Sequence, residues 1–269
     1  MTKHVIVKHR SPFSYVALTF ALSIPFWVAG ALSQQQLLPG LPVSALMIVA
    51  PATAALILVY RENKIAGVVA LLKRAFDFER VHAKRWCVPT FLLMPGIMLA
   101  SYVVMLLSGV TLPNPQFTIS TITVLFALFF VAALCEELGW AGYLTDPLQG
   151  RFGALGGAVL LGIVWAVWHF IPLFEARRSL AWIAWWSLGT VTSRVIMSWL
   201  YNNTGGSVFV AAIFHAMINL TWQLFPAHGT YSYYDPRVTG LVTLAVALFV
   251  VIWWWPRTLV RDRSPSEAA

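Results

Sequence analysis

Eight apolar stretches of this chain are each long enough to cross the hydrocarbon core of a bilayer, which is about 30 Å thick and needs about 20 helical residues. They are roughly residues 14–32, 43–60, 89–109, 119–144, 155–175, 180–202, 207–226 and 238–256. Only helices and closed barrels satisfy their backbone groups in lipid, and these runs are continuously apolar rather than alternating. The sequence therefore predicts an all-α, polytopic membrane helix bundle with about eight transmembrane helices.

The composition supports this class. Hydrophobic residues make up 59% of the chain and charged residues only 10%, whereas about a quarter of a soluble domain is charged. The formal net charge of +8 could indicate a nucleic-acid binder, but the basic residues lie between apolar runs rather than on one solvated face. We therefore expect membrane lipids, and no nucleic acid, among the partners.

The distribution of Lys and Arg between the predicted loops predicts the orientation of the bundle. Fourteen of these residues fall on one side, seven of them in the stretch 61–88, and three fall on the other side. Because basic loops stay in the cytoplasm, we expect both termini to be cytoplasmic. The expected location is the plasma membrane of a prokaryote, as a multi-pass protein.

A few ionisable and amide side chains interrupt the apolar runs. A charged side chain at the bilayer centre costs about 2.5–3.5 kcal/mol on insertion scales, so each one needs a reason to be there. They are Glu136 and Glu137 in the fourth span, His169 in the fifth, Arg194 in the sixth, and His215 and Asn219 in the seventh. At 1.5 Å of rise per residue, all lie within about two turns of the midplane. We therefore predict that they line one intramembrane polar cavity.

These residue types are competent for hydrolysis. A carboxylate such as Glu136 can accept a proton from water, while His and Asn side chains can stabilise an oxyanion. His215 and Asn219 are four residues apart and therefore share one helix face. Glu136, His169 and His215 can equally well bind a divalent metal such as zinc. The residues alone leave both a metal site and a metal-free glutamate site open.

Three segments resemble the motifs of a known family. They are EELGWAGYL at 136–144, WAVWHFIP at 165–172 and HAMIN at 215–219. They are similar, in order, to the motifs EExxxR, FxxxH and HxxxN of the CPBP (Abi) intramembrane proteases, which include the type II CAAX prenyl endopeptidases. The segment WLYNNTGGS at 199–207 is also typical of the region before the third motif. The resemblance covers roughly residues 119–222.

The resemblance implies a role for each matched residue. Glu136 would be the general base that activates water, assisted by His169. His215 and Asn219 would bind the developing oxyanion or, with a metal present, help to hold the ion. The implied activity is endopeptidase cleavage of a hydrophobic or lipid-anchored peptide, with prenylated CAAX proteins as one class of substrate.

Two positions depart from the motifs. Trp165 stands where the second motif has Phe, which is a conservative aromatic change. Ala141 stands where the first motif has Arg. An Arg at that position could pair with Glu137 one turn away, and without it Glu137 would be a buried carboxylate lacking a partner.

We predict that Arg194 supplies the missing guanidinium from the sixth span. By helical rise, Arg194 and Glu137 both lie about 4–7 Å to the cytoplasmic side of the midplane, so their heights match. We interpret both as structural rather than catalytic. Trp140 lies one turn from Glu136 and can line the cavity, although packing explains it equally well.

Two other function classes remain for comparison. A catalytically inactive relative could serve as a membrane scaffold, immunity factor or regulatory protein, and the missing motif Arg favours this reading. A proton-coupled transporter could use buried Glu and His, but the sequence has no inverted repeat. For the chain as a whole we predict N-terminal helices with a basic loop at 1–118, a protease-like core at 119–226, and a last helix with a polar tail at 227–269.

Overall fold

A computed structural model describes residues 11–38, 40–112, 118–224 and 235–260. Within these residues the chain forms nine helices and one short hairpin of strands β1 (Gln36–Leu38) and β2 (Leu41–Pro42). The helices are α1 (Pro12–Ser33), α2 (Val49–Lys73), α3 (Cys87–Leu107), α4 (Ile119–Gly139), α5 (Thr145–Trp168), α6 (Phe170–Glu175), α7 (Leu180–Asn203), α8 (Val208–Leu224) and α9 (Pro236–Trp253). A 3-10 turn (Val43–Ile48) leads into α2, and a π-helical turn (Trp140–Leu144) joins α4 to α5.

The predicted all-α membrane bundle is confirmed, and each of the eight predicted spans corresponds to helix. Among the described residues, five helical stretches are long and apolar enough to cross a membrane: Pro12–Ser33, Val43–Phe76, Lys84–Leu107, Ile119–Trp168 and Pro236–Trp253. The fourth contains both α4 and α5. Helix α8 is apolar but has only 17 residues, and α7 is made less apolar by its Thr, Ser, Arg and Asn residues.

The two ends of the bundle differ in character. The basic end contains residues 74–86, 145–153, 204–207 and 254–260, and the hairpin end contains β1, β2, the Val43–Ile48 turn and α6. Residues 1–10, 39, 113–117, 225–234 and 261–269 lie outside the described residues, and with them the end of the seventh predicted span at 225–226.

The stretch 61–88 differs from the loop that the sequence suggested. Helix α2 continues to Lys73, with a break at Lys64, where φ is +54°. The residues after the break, IAGVVALL at 65–72, are all apolar, and Ile65 and Leu72 are exposed. A helix with an exposed apolar side next to the basic residues Lys73 and Arg74 fits the bilayer surface.

One buried aspartate fixes the start of α8. The Asp77 carboxylate, at the basic end, accepts hydrogen bonds from Ser207 Oγ at 2.8 Å, from Phe209 N at 3.1 Å and from Val208 N at 3.3 Å. The first amides of a helix have no intrahelical partner, and a negative charge there also favours the helix dipole. This contact between distant parts of the sequence sets the position of α8 and of its polar side chains.

A glycine allows α5 and α7 to approach closely. A Cβ atom at Gly162 would lie 2.8 Å from Val191 Cα and 3.3 Å from Arg194 Cβ. Any larger residue would push the two helices apart. The glycine thus lets Arg194 reach the interior of the bundle.

Candidate active site

A cavity of about 210 Å³ lies inside the bundle and extends to the hairpin end. Its polar lining includes the four predicted catalytic residues: Glu136, His169, His215 and Asn219. Most of the remaining wall is apolar, with Met94 and Met98 from α3 among its residues. The structure therefore brings the four predicted residues into one cavity, and their roles there remain predictions.

Two indole N–H groups hold the Glu136 carboxylate. Trp165 Nε1 donates to Glu136 Oε2 at 2.8 Å, and Trp140 Nε1 donates to the same oxygen at 3.3 Å. The other oxygen, Oε1, lies 3.9 Å from His215 Nε2, which is too long for a hydrogen bond. Within the described part of the chain Oε1 accepts no hydrogen bond, so this oxygen is available to water or substrate.

His169 lies at a break in the helix rather than inside one continuous span. Pro172 has no N–H to bond with the Trp168 carbonyl, and its ring clashes with that carbonyl, so α5 ends at Trp168. The His169 amide bonds to Ala166 O instead of Trp165 O. The Trp165 carbonyl is then free to accept a hydrogen bond from His169 Nδ1 at 2.8 Å. This contact leaves Nε2 as the unprotonated nitrogen of a neutral His169.

The second glutamate is the centre of a buried ion-pair network. Arg194 donates from Nη1 to Glu137 Oε2 at 2.8 Å and from Nη2 to Glu137 Oε1 at 3.0 Å. His215 Nδ1 donates to Glu137 Oε1, also at 3.0 Å. The Glu137 side chain is fully buried and that of Arg194 is 2% exposed. The pair predicted from the depths of the two residues is present, so Arg194 supplies the guanidinium that Ala141 lacks.

Asn219 and Trp140 occupy the places expected from helical spacing. Asn219 is one turn beyond His215 on α8, and both line the cavity. Trp140, the first residue of the π-helical turn after α4, is fully buried, and its indole contacts Glu136 one turn earlier. Trp140 therefore contacts the Glu136 carboxylate and also packs in the core.

Trp165 has more contacts in the site than a conservative change from Phe predicts. Its indole N–H donates to Glu136, and its ring contacts Arg194 and His215. Its position, one turn before His169 in the second motif, was the signal that could have revealed it.

The arrangement does not fit a metal held by Glu136, His169 and His215. Within the described residues, no three His, Cys, Asp or Glu side chains converge on one point. The hydrogen bonds of these side chains occupy His215 Nδ1, His169 Nδ1 and Glu136 Oε2 and leave the Nε2 atoms and Glu136 Oε1 free, so it is the absence of a common meeting point, and not these hydrogen bonds, that argues against a metal held by the three.

Comparison with known proteins agrees with the motifs. A family model described as type II CAAX prenyl endopeptidase Rce1-like matches residues 118–221. The protein CAAX prenyl protease 2 of Methanococcus maripaludis is 30% identical over 257 residues, which cover 89% of this chain and 94% of that relative. The match therefore extends through nearly the whole of both chains, beyond the segments that carry the motifs. The chain belongs to the type II CAAX prenyl endopeptidase family of membrane-embedded CPBP (Abi) proteases.

Proposed function

We propose that this protein hydrolyses a peptide bond inside the membrane with Glu136 as the general base. The proposal rests on the different surroundings of the two carboxylate oxygens. Two indole donors fix Oε2, while Oε1 accepts no hydrogen bond within the described residues. A fixed carboxylate with one available oxygen can orient a water molecule and remove its proton.

His169 assists in orienting the water. Because its Nδ1 donates to the Trp165 carbonyl, Nε2 of the neutral ring carries a lone pair that can accept a hydrogen bond. The lone pair and Glu136 Oε1 together give the water two acceptors, one at the break between α5 and α6 and one on α4. Water held in this way attacks the scissile carbonyl carbon, and Glu136 takes up the proton.

His215 and Asn219 stabilise the oxyanion that forms. The Asn219 carboxamide carries N–H donors. His215 in its imidazolium form has an N–H at Nε2 in addition to the Nδ1–H that bonds to Glu137, so Glu137 serves as its counter-ion. Glu136 then returns its proton to the leaving nitrogen as the oxyanion re-forms the carbonyl and the C–N bond breaks, which leaves a carboxylic acid and an amine as products.

A protease of this family acts on hydrophobic or lipid-modified substrates, and we infer a prenylated CAAX-type peptide as the substrate class. The apolar wall that includes Met94 and Met98 is suited to a hydrocarbon chain. We assign the chemistry to the core at 119–226, flanked by segments 1–118 and 227–269. The proposed orientation has both termini in the cytoplasm of a prokaryotic cell, with the protein in the plasma membrane.

The experiment that tests the proposal is cleavage of a quenched fluorescent peptide carrying a prenylated cysteine. Purified wild type is compared with Glu136→Gln and His169→Ala, each with and without a metal chelator. We expect activity in wild type that the chelator does not change, and a loss of at least about 100-fold in each variant. Loss of wild-type activity with chelator, restored by added zinc, would favour the metal mechanism.

The alternative function, a catalytically inactive relative that acts as a scaffold, immunity factor or regulator, has lost its main support. It rested on the missing motif Arg, and Arg194 provides a bidentate guanidinium to Glu137 from another helix. Well-folded wild type that cleaves none of a set of farnesylated, geranylgeranylated and unmodified peptides would restore this alternative.

A further inference from the structure

Trp165 contacts most of the polar groups of the site. It is a buried residue of α5, one turn before His169. Its indole N–H donates to Glu136, and its carbonyl accepts from His169 Nδ1. Its ring packs edge-on against His215, with ring centres 4.9 Å apart, and lies 4.3 Å from the guanidinium carbon of Arg194. One residue thus touches both proposed water-activating groups and two members of the ion-pair network.

The indole N–H does something that the Phe of the family motif cannot do. A Phe at this position would keep an aromatic ring, but it would have no donor for Glu136 Oε2. The remaining donor, Trp140, makes a longer bond of 3.3 Å and lies in the π-helical turn directly after the helix of Glu136. Only the bond from Trp165 fixes the carboxylate relative to α5, and therefore relative to His169.

The two positions that depart from the family motifs, Ala141 and Trp165, are linked through Arg194. With Ala141 in place of Arg, the guanidinium that pairs with Glu137 comes from α7. There it lies over the face of the Trp165 ring, which is a favourable position for a cation beside an indole. The same indole therefore contacts Arg194 through its ring and Glu136 through its N–H.

We propose that Trp165 is a positioning residue of the hydrolytic site, whose indole N–H orients Glu136 and whose ring holds Arg194 and His215 in place beside it. This inference rests on the proposed role of Glu136 as the general base. It adds a residue that the family motif, with Phe at this position, does not contain.

Kinetics of Trp165→Phe test the proposal. Misplacing a general base lowers the rate of the chemical step, so kcat falls by about 10- to 100-fold while KM stays within about twofold. Trp140→Phe removes the longer bond to the same oxygen and lowers kcat less. If Trp165 only contacted substrate, Trp165→Phe would instead raise KM and leave kcat unchanged, which would overturn the proposal.

Trp168→Phe is the matched control. Trp168 is three residues further along α5, and its indole donates at the same 2.8 Å distance to Ser23 Oγ on α1 rather than to Glu136. Its ring packs against His169, as the Trp165 ring does, and Phe would keep an aromatic ring at either position, so the two variants differ in the N–H bond that is lost. We expect a loss of stability but a kcat within about twofold of wild type. An equal fall of kcat in both variants would mean that any loosening of α5 reduces activity, and Trp165 would have no specific role.

A spectroscopic measurement tests the contact without relying on activity. In protein labelled with ¹⁵N at the indole nitrogens, the Trp165 resonance is the one absent from Trp165→Phe. We expect Glu136→Gln to shift this resonance and to leave that of Trp168 in place, because a charged acceptor has become neutral. An unmoved Trp165 resonance would overturn the proposal. If Glu136→Gln shifts the Trp165 resonance but wild type cleaves no peptide, the proposed function is refuted and the Trp165–Glu136 contact is still established.

Discussion

The buried pair of Glu137 and Arg194 makes a quantitative prediction about stability. Both side chains are almost completely buried and joined by two hydrogen bonds of 2.8 and 3.0 Å. Removing one partner leaves a charge without compensation in a medium that cannot solvate it. We therefore compare Glu137→Gln, Arg194→Gln and the double variant.

The expected magnitudes follow from this burial. Breaking a buried ion pair from one side costs about 3–5 kcal/mol, so each single variant should lose about this much free energy of unfolding. The double variant removes both charges, and two amides can still hydrogen-bond to each other. We expect it to be no less stable than either single variant, which corresponds to a coupling energy of at least about 3 kcal/mol.

Equilibrium unfolding in mixed detergent micelles, followed by tryptophan fluorescence, measures these differences. The chain has 13 tryptophans, including Trp165 beside Arg194. Arg237→Gln is the matched control, since Arg237 makes an ion pair of 2.8 Å with Asp235 but is 65% exposed. An exposed pair contributes at most about 1 kcal/mol. Strictly additive losses at positions 137 and 194 would refute the argument.

Three further predictions concern the fold and its orientation. Asp77→Asn removes the charged cap of α8 and should cost about 1–2 kcal/mol in the same unfolding assay; an unchanged stability would mean that the cap does not fix the helix. Gly139→Ala places a Cβ 2.5 Å from Pro51 O and should lose about 1–3 kcal/mol, whereas Gly96→Ala meets nothing within 4 Å and should lose less than about 1 kcal/mol; equal losses would contradict this packing argument. Arg257→Cys, in a background without the native cysteines, should react with an impermeant thiol reagent only from the cytoplasmic side, because Arg257 is exposed at the basic end; labelling of intact cells would reverse the proposed orientation.

Helical rise was sufficient to predict the contact between Glu137 and Arg194. Glu137 and Arg194 are 57 residues apart in sequence, yet their depths matched because both helices cross the same bilayer at a constant rise per residue. An isolated intramembrane Arg also needs a partner, and the acidic residues inside the predicted spans were Glu136, Glu137 and, at the very end of the fifth span, Glu175. Depth and charge together therefore left Glu137 as the partner.

Other features depend on local geometry that periodicity does not contain. The break at His169 follows from Pro172, but an apolar run across both residues reads as one span. The hairpin of β1 and β2 is too short to give an alternating pattern. The donation from Trp165 to Glu136 requires the relative rotation of two helices, and helical spacing within one sequence does not determine it.

The adjacent glutamates show how one helix turn can serve two purposes. Glu136 and Glu137 point about 100° apart on α4, so they face different neighbours. Glu137 faces a guanidinium and an imidazole, and its hydrogen bonds to them join α4 to α7 and α8. Glu136 faces two neutral indole donors, which fix one oxygen, while the other oxygen accepts no hydrogen bond from the described residues. A general base needs a defined position and an oxygen that can accept a proton. Both oxygens of Glu137 already accept hydrogen bonds from Arg194, and this difference is the physical reason to propose Glu136 rather than Glu137 as the base.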